Sequence, residues 1–200
     1  DLSVDNFVKG EVTDYKQWTD NEFSITVKAD IGPYVAGQFT KLALQDENGE
    51  WLRRAYSFVN SPNHALGRQC MEFLIIDVPN GGLSPKLAKV NIGDDIYVGD
   101  KPSGFMTLAE IPSNATNLWL LSTGTAIGPF LSILGESETQ QRFEKIILVH
   151  AVRTKQELVY QALIEKLLHQ YNGKLVYLPI VSREQHPGIM SGRIPQLLKD

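Results

Sequence analysis

The sequence has very little cysteine. Its 200 residues include one, Cys70, so the chain has no internal disulfide and no iron-sulfur or zinc site built from four cysteines. As a lone, weakly polar thiol, Cys70 is expected in the core. The four histidines, His64, His150, His169 and His186, form no HxxxH or HExxH pair, which argues against a histidine metal site. The sequence therefore predicts a protein without a bound metal.

Long apolar runs and an excess of positive charge are also missing. No stretch approaches the roughly 20 uncharged apolar residues of a membrane span, and the first residues lack the basic-then-apolar order of a secretory signal. Lys and Arg number 19 against 23 Asp and Glu, a formal net charge of -4, whereas nonspecific nucleic-acid binding needs a basic face. We expect a cytoplasmic monomer that binds neither a membrane nor a nucleic acid.

The first half of the chain consists of short extended segments. Apolar and polar side chains alternate in FSITVKA and FTKLAL, which predicts strands with one face inward and the other in water. Strands are expected at residues 23–27, 39–44 and 73–78, with turn residues at 30–33, 46–49 and 80–82. This is the pattern of a small antiparallel barrel.

After residues 102–104 the pattern changes to alternating strands and helices, which is typical of a parallel sheet. NLWLL (117–121) and KIILV (145–149) predict central strands buried on both faces. We expect a helix over 156–171, a third strand over 174–181 and another helix over 192–198. The predicted domains are residues 1–103 and 104–200. Three parallel strands leave an open edge and face, so the second domain is expected to continue beyond residue 200.

The most specific motif is Arg54-Ala55-Tyr56-Ser57, within a predicted strand. A guanidinium binds pyrophosphate through two parallel hydrogen bonds. Tyr56 could stack on an isoalloxazine ring, and Ser57 could donate to the flavin N5. Taken alone, the motif also fits an exposed arginine beside an ordinary strand tyrosine.

Two glycine-containing segments follow. In Asn80-Gly81-Gly82-Leu83-Ser84-Pro85, glycines allow close approach of a ligand, and Ser84 is expected to cap the helix that Pro85 opens. STGTAIGP (122–129) comes after a predicted strand and before a helix at 130–134, the position where open α/β sheets bind nucleotides. The first segment also fits a capped surface helix, and the second a plain strand-to-helix connection.

RAYS, GGLS and TGTAIGPF, in this order and spacing, resemble the ferredoxin-NADP reductase superfamily, and YSFVNSP with GTAIGPFLSIL resembles its bacterial branch. The resemblance spans the whole chain. It implies two domains, an antiparallel Greek-key β-barrel that binds FAD and an α/β parallel-sheet domain that binds NADP. The residues implied to bind FAD or its pyrophosphate are Arg54, Ala55, Tyr56, Ser57, Gly82, Leu83 and Ser84. Thr125 would lie near flavin and nicotinamide, so Ser57 and Thr125 are the expected catalytic pair.

Three arginines follow predicted strand ends: Arg153, Arg183 (next to Ser182) and Arg193. An NADP 2'-phosphate forms charge-assisted hydrogen bonds with such side chains, whereas NAD enzymes tend to place a carboxylate there. The resemblance thus implies electron transfer between NADPH and ferredoxin or flavodoxin as separate carriers. It also implies a CGxP-like segment and a C-terminal aromatic residue, which these 200 residues do not include.

Two other functions remain open from the sequence. The same two domains occur in reductase components of oxygenases and in free-flavin reductases, with a separate acceptor because one cysteine cannot hold an iron-sulfur cluster. A noncatalytic nucleotide-binding module would share the fold without the reaction.

Overall fold

The computed structural model describes residues 6–192, which form two sheets and four α-helices. The strands are β1 (Phe7–Thr19), β2 (Glu22–Lys28), β3 (Phe39–Gln45), β4 (Trp51–Ser57), β5 (Cys70–Ile76), β6 (Asp95–Gly99), β7 (Asn117–Thr123), β8 (Lys145–Val152), β9 (Leu175–Val181) and β10 (Met190–Ser191). The helices are α1 (Ser84–Leu87), α2 (Ile127–Leu134), α3 (Ser137–Arg142) and α4 (Gln161–Gln170). None of the described helices is long and apolar enough to span a bilayer.

Strands β1 to β6 form the predicted antiparallel barrel, in the order β4-β3-β6-β1-β2-β5. A bridge between Phe58 and Phe73 joins the chain after β4 to β5 and closes the sheet. Inward-facing side chains such as Phe23, Leu42 and Phe73 are fully buried and form the barrel core. Cys70, expected in that core, is only half-buried because it opens β5 at the rim.

One expectation for the barrel strands is wrong in β2. The outward side chains of this strand, Glu22 and Ser24, are buried rather than in water. The reason is tertiary, because the second half of the molecule covers the outer face of β2 and β5. The alternating pattern predicted the inward face correctly but carries no information about what covers the other face.

Strands β7 to β10 and helices α2 to α4 are here called the α/β half. Its four strands form a parallel sheet in the order β10-β9-β8-β7. Helices α2 and α4 pack on the face that carries Leu118, Leu120 and Leu148. The prediction of a central strand is confirmed for β8. Strand β7 is an edge strand of the described sheet and leaves Trp119 and Leu121 exposed on its second face, so its central position stays a prediction for the longer chain.

The helix expected over 156–171 begins only at Gln161. A capping box between Thr154 and Glu157 closes a single 3-10 turn at Lys155–Glu157, and Tyr160 then adopts a left-handed backbone with φ 61°, which interrupts the helical spacing. Helix α2 begins at Ile127, before the expected residue 130, since Pro129 is tolerated in a first turn. The helix expected over 192–198 lies outside the described residues, apart from its first residue.

Candidate functional site

The carboxyl end of β4 and the turn after β7 face each other across a groove of about 260 Å³. The groove therefore joins the first and third sequence motifs, one from the barrel and one from the α/β half. Its lining residues are Ala55, Tyr56, Ser57, Leu74, Thr123, Thr125, Ala126 and Gly128. Ser57 and Thr125, the two residues singled out from the sequence for their hydroxyl groups, both belong to this lining.

Strand β4 supplies the barrel side of the groove. Its register on β3 pairs Tyr56 with Thr40 and Ser57 with Phe39, which fixes where the motif ends. Burial raises the pKa of Tyr56, with Arg54 opposing the shift, so the phenol stays neutral at physiological pH. Arg54 is exposed, donates to the Arg53 carbonyl (2.7 Å) and forms no salt bridge within residues 6–192. Its guanidinium therefore keeps donors for an anion.

The turn after β7 supplies the other side. A 3-10 turn at Gly124–Ala126 leads directly into α2, and Gly124 has φ 56°, a backbone that glycine adopts without strain. Helix α2 then lies close to the chain after β4: a Cβ on Gly128 would be 3.4 Å from Val59 Cγ2. Ser132 Oγ donates to the Asn60 carbonyl at 2.8 Å. These contacts hold Thr125 against the barrel.

The second motif lies beside β4. A Cβ on Gly82 would be 3.6 Å from a Leu52 methyl carbon, two residues before Arg54. Leu83 is buried in the barrel core, so only its backbone is available to a ligand. The expected capping role of Ser84 is wrong: Ser84 is the first residue of α1, and its Oγ accepts from the Val78 amide (2.9 Å) instead.

The predicted nucleotide-binding arginines come together at the carboxyl edge of the parallel sheet. Arg153 follows β8 and Arg183 follows β9, and the Arg183 amide donates to the Arg153 carbonyl at 2.9 Å. Both arginines and Ser182 are exposed, and neither guanidinium has a carboxylate partner in the described part of the chain. Thr123 of β7 is aligned with Ala151 near this edge. Arg193 lies outside the described residues.

The sequence reasoning missed the polar contacts that join the two halves. Tyr160 donates to Glu72 on β5, and Ser61 and Asn63 donate to Glu136 between α2 and α3. It also missed His150, which is completely buried in the parallel sheet. The one available signal was an acidic residue, Glu72, inside the otherwise apolar strand CMEFLII.

Comparison with known proteins agrees with this geometry. The model of the oxidoreductase NAD-binding domain family matches residues 120–199. A flavodoxin/ferredoxin-NADP reductase from Escherichia coli (strain K12) is 46% identical over 194 residues, covering 97% of this chain and 76% of the relative. A ferredoxin-NADP reductase from Pseudomonas aeruginosa is 37% identical over 204 residues, with 98% and 76% covered.

A solved structure matches this chain as well. The ferredoxin NADP+ reductase from Neisseria gonorrhoeae, with bound FAD and NADP, matches with a TM-score of 0.87 and 29% identity, covering 97% of this chain and 76% of that one. The match includes both the barrel and the α/β half, and the sequence relatives extend over the same share of the chain. The chain therefore belongs to the flavodoxin/ferredoxin-NADP reductase family.

Proposed function

We propose that this protein transfers electrons between NADPH and ferredoxin or flavodoxin, with FAD as its bound cofactor. The observation that carries the proposal is the groove in which Ser57 of the barrel meets Thr125 of the α/β half. Relatives named for this reaction at 46% and 37% identity support it, as does the Neisseria gonorrhoeae structure with FAD and NADP. The chain is thus an oxidoreductase.

The residues around the groove fit FAD. Arg54 has free donors for a pyrophosphate, Tyr56 offers a neutral ring for stacking, and Ser57 and Thr125 belong to the groove lining. When bound, the flavin couples a two-electron donor to one-electron carriers. In our assignment Ser57 would donate a hydrogen bond toward the flavin N5, and Thr125 would orient the nicotinamide. Backbone groups of Ala55 and of residues 82–84 complete the FAD contacts.

The α/β half fits NADP. Arg153, Ser182 and Arg183 are exposed together where β8 and β9 end, and two guanidinium groups without carboxylate partners suit a 2'-phosphate. Arg193 is assigned to the same nucleotide. We accordingly divide the chain into an FAD-binding domain, 1–103, and an NADP-binding domain, 104–200. Two hydrophobic clusters support this division, one in the barrel and one mainly in the α/β half, which also takes in Ala36, Val59 and Leu74 of the barrel.

The proposal also concerns partners and location. Ferredoxin or flavodoxin binds as a separate protein, and the enzyme acts as a cytoplasmic monomer. Sedimentation of the FAD-loaded protein at micromolar concentration tests the oligomeric state, with a mass near 22 kDa expected for one copy of these 200 residues. Fractionation of the source cells tests the location, since recovery in the membrane fraction would contradict it.

An anaerobic absorbance titration tests the function. NADPH is added to the full-length, FAD-loaded protein in one cuvette and NADH in another. We expect bleaching of the flavin band at a much lower concentration of NADPH. Subsequent addition of oxidised ferredoxin or flavodoxin should restore the band.

Each contrary result has a distinct meaning. A protein that never acquires a flavin spectrum would leave only a nucleotide-binding module. Equal bleaching by both nucleotides would remove the assignment of the arginines to NADP. Restoration of the band by free flavin but by neither carrier protein would favour a free-flavin reductase.

A further inference from the structure

The outer face of β2 and β5 carries an unusual set of polar side chains. Ser24 on β2 is paired with Leu74 on β5, and Thr26 with Glu72, so these four side chains share one face. The alternate residues, such as Phe73, point into the barrel core. The N-terminal part of α4 lies over this polar face and encloses a groove of about 450 Å³ between the two halves.

Tyr160 is the residue of the α/β half that reaches this face. Its backbone is left-handed, with φ 61°, a conformation that bulky residues rarely adopt and that persists only when surrounding contacts hold it. Its side chain is buried, and its ring centroid lies 4.7 Å from that of Trp18. The Tyr160 hydroxyl donates to the Glu72 carboxylate. The left-handed backbone of Tyr160, just before α4, therefore places its side chain against the barrel.

Glu72 is directly connected to the flavin groove. It precedes Leu74, a lining residue, by two positions on β5, or about 7 Å along the strand. Its amide donates to Asn60 Oδ1 at 3.0 Å, and its carbonyl accepts from the Val59 amide at 2.9 Å. Those contacts hold the segment that follows Ser57. Tyr160 is thus hydrogen-bonded to the residue whose backbone positions the barrel side of the groove.

A second set of hydrogen bonds joins the two halves at α2 and at the turn between α2 and α3. Ser132 of α2 donates to the Asn60 carbonyl, and Glu136 accepts from Ser61 and Asn63. These hydrogen bonds add to apolar contacts between the halves, since Val59 and Leu74 of the barrel belong to the same hydrophobic cluster as Leu131 of α2. Two polar attachments, one just before α4 and one at α2 and the turn after it, add directional contacts that restrict the angle between the halves.

We infer that Tyr160 and Glu72 are a positioning pair, whose hydrogen bond holds the α/β half at the angle where Thr125 faces Ser57 across the flavin groove. Neither residue lines that groove, so they act through the residues that do. The inference rests on the proposed function, because an angle between the halves matters only if nicotinamide and flavin must meet between them.

The test uses four variants of the full-length, FAD-loaded protein. Tyr160→Phe keeps the ring on Trp18 but removes the hydroxyl, and Glu72→Ala removes the acceptor. Glu72→Gln keeps an acceptor oxygen. The matched control is Tyr171→Phe, because Tyr171 is a buried tyrosine at the opposite end of α4 whose hydroxyl donates within the α/β half, to the Leu134 carbonyl.

The main measurement is the rate of flavin bleaching at saturating NADPH in an anaerobic stopped-flow instrument. We expect Tyr160→Phe and Glu72→Ala to slow bleaching roughly tenfold, with little change in the NADPH concentration that gives half the maximal rate. Glu72→Gln and Tyr171→Phe should stay within about twofold of the wild type. The flavin spectrum should be unchanged throughout, since the barrel residues that hold FAD are intact.

Amide hydrogen exchange provides a readout that does not depend on activity. Tyr160→Phe should raise the exchange rate of peptides covering residues 158–164 and 70–76, which meet at the pair, and Tyr171→Phe should leave both peptides protected. Wild-type bleaching by Tyr160→Phe, or an equal slowing by Tyr171→Phe, would overturn the positioning role. A wild-type protein that NADPH fails to bleach would overturn the proposed function itself.

Discussion

The barrel buries a carboxyl group, that of Glu22, and the α/β half buries an imidazole, that of His150, and the two have opposite chemistry. In the barrel, burial and the nearby Glu157 raise the pKa of Glu22 to about 7. In the α/β half, burial lowers the pKa of His150 to about 4. His150 Nδ1 lies 2.9 Å from the Tyr177 hydroxyl, while its Nε2 has no hydrogen-bond partner within the described chain. Burial thus favours the neutral form of both, so acid affects the halves in opposite directions.

Within residues 6–192, the halves also differ in how completely their sheets are covered. The barrel closes on itself, and its aromatic core is fully buried at Phe23, Phe58 and Phe73. The described parallel sheet is packed by helices on one face, and Trp119 and Leu121 remain 54% and 42% exposed on the other. The residues assigned to the two cofactors also differ in position. Residues 54–57, assigned to FAD, lie on a paired strand of the barrel, whereas Arg153 and Arg183, assigned to NADP, lie just beyond strand ends of the α/β half.

The largest expected effect is the loss of stability when one buried aromatic ring is removed from either core. Phe73→Ala in the barrel and Phe143→Ala in the α/β half should each lower the free energy of unfolding by about 3–5 kcal/mol, because both rings are fully buried. Phe73 adjoins Glu72 and Leu74 on β5, so its loss should also weaken FAD retention. Phe143 belongs to the cluster centred on the α/β half and follows α3, so its loss should weaken FAD retention less.

Urea unfolding, followed separately by tryptophan and by released flavin fluorescence, measures both quantities. The corresponding leucine variants serve as milder controls, with smaller losses in the same order. If Phe143→Ala released FAD as readily as Phe73→Ala, the two cores would be one cooperative unit and the comparison would fail.

The second prediction uses the opposite pKa shifts. The folded-state pKa of His150 is below that of an exposed histidine, about 6.5, so its contribution is complete above pH 6.5 and is lost as pH falls toward 4. The loss is on the order of 3 kcal/mol for a shift of this size. His150→Gln cannot be protonated in this range, so its stability should fall less between pH 6.5 and 4.

The matched barrel variant is Glu22→Gln. Because the folded-state pKa of Glu22 is raised, its carboxylate costs stability as pH rises through about 7, and removing the charge should stabilise the protein at pH 8. Urea midpoints measured from pH 4 to 8 for both variants test the pair of signs. Parallel pH profiles of His150→Gln and wild type would show that the imidazole does not titrate across this range.

The sequence allowed the strand pattern of the barrel and of the parallel sheet to be predicted, because both follow from local periodicity. That Ser57 and Thr125 belong to one site was implied only by the resemblance of the RAYS and TGTAIGPF motifs to the reductase superfamily. The rule that parallel strands end at one edge brought Arg153 and Arg183 together. Glu22 and Tyr160 could not be predicted, because the burial of one and the left-handed backbone of the other depend on contacts between halves distant in sequence. Ser84 was misassigned because its hydroxyl accepts from the Val78 amide, a partner outside the helix that the helix-start pattern does not reveal.

The smallest effect concerns nucleotide choice, which we assign to the α/β half alone. Arg183→Ala should weaken NADPH binding about 10- to 100-fold, the equivalent of one charge-assisted hydrogen bond, and should barely change NADH binding, because NADH lacks the 2'-phosphate. The control is Arg68→Ala, an exposed arginine in a barrel loop, which should alter neither nucleotide. Flavin bleaching titrations with both nucleotides give the two affinities. Equal losses of affinity for NADPH and NADH in Arg183→Ala would mean that the arginine contributes to the binding of both nucleotides and does not specifically recognise the 2'-phosphate.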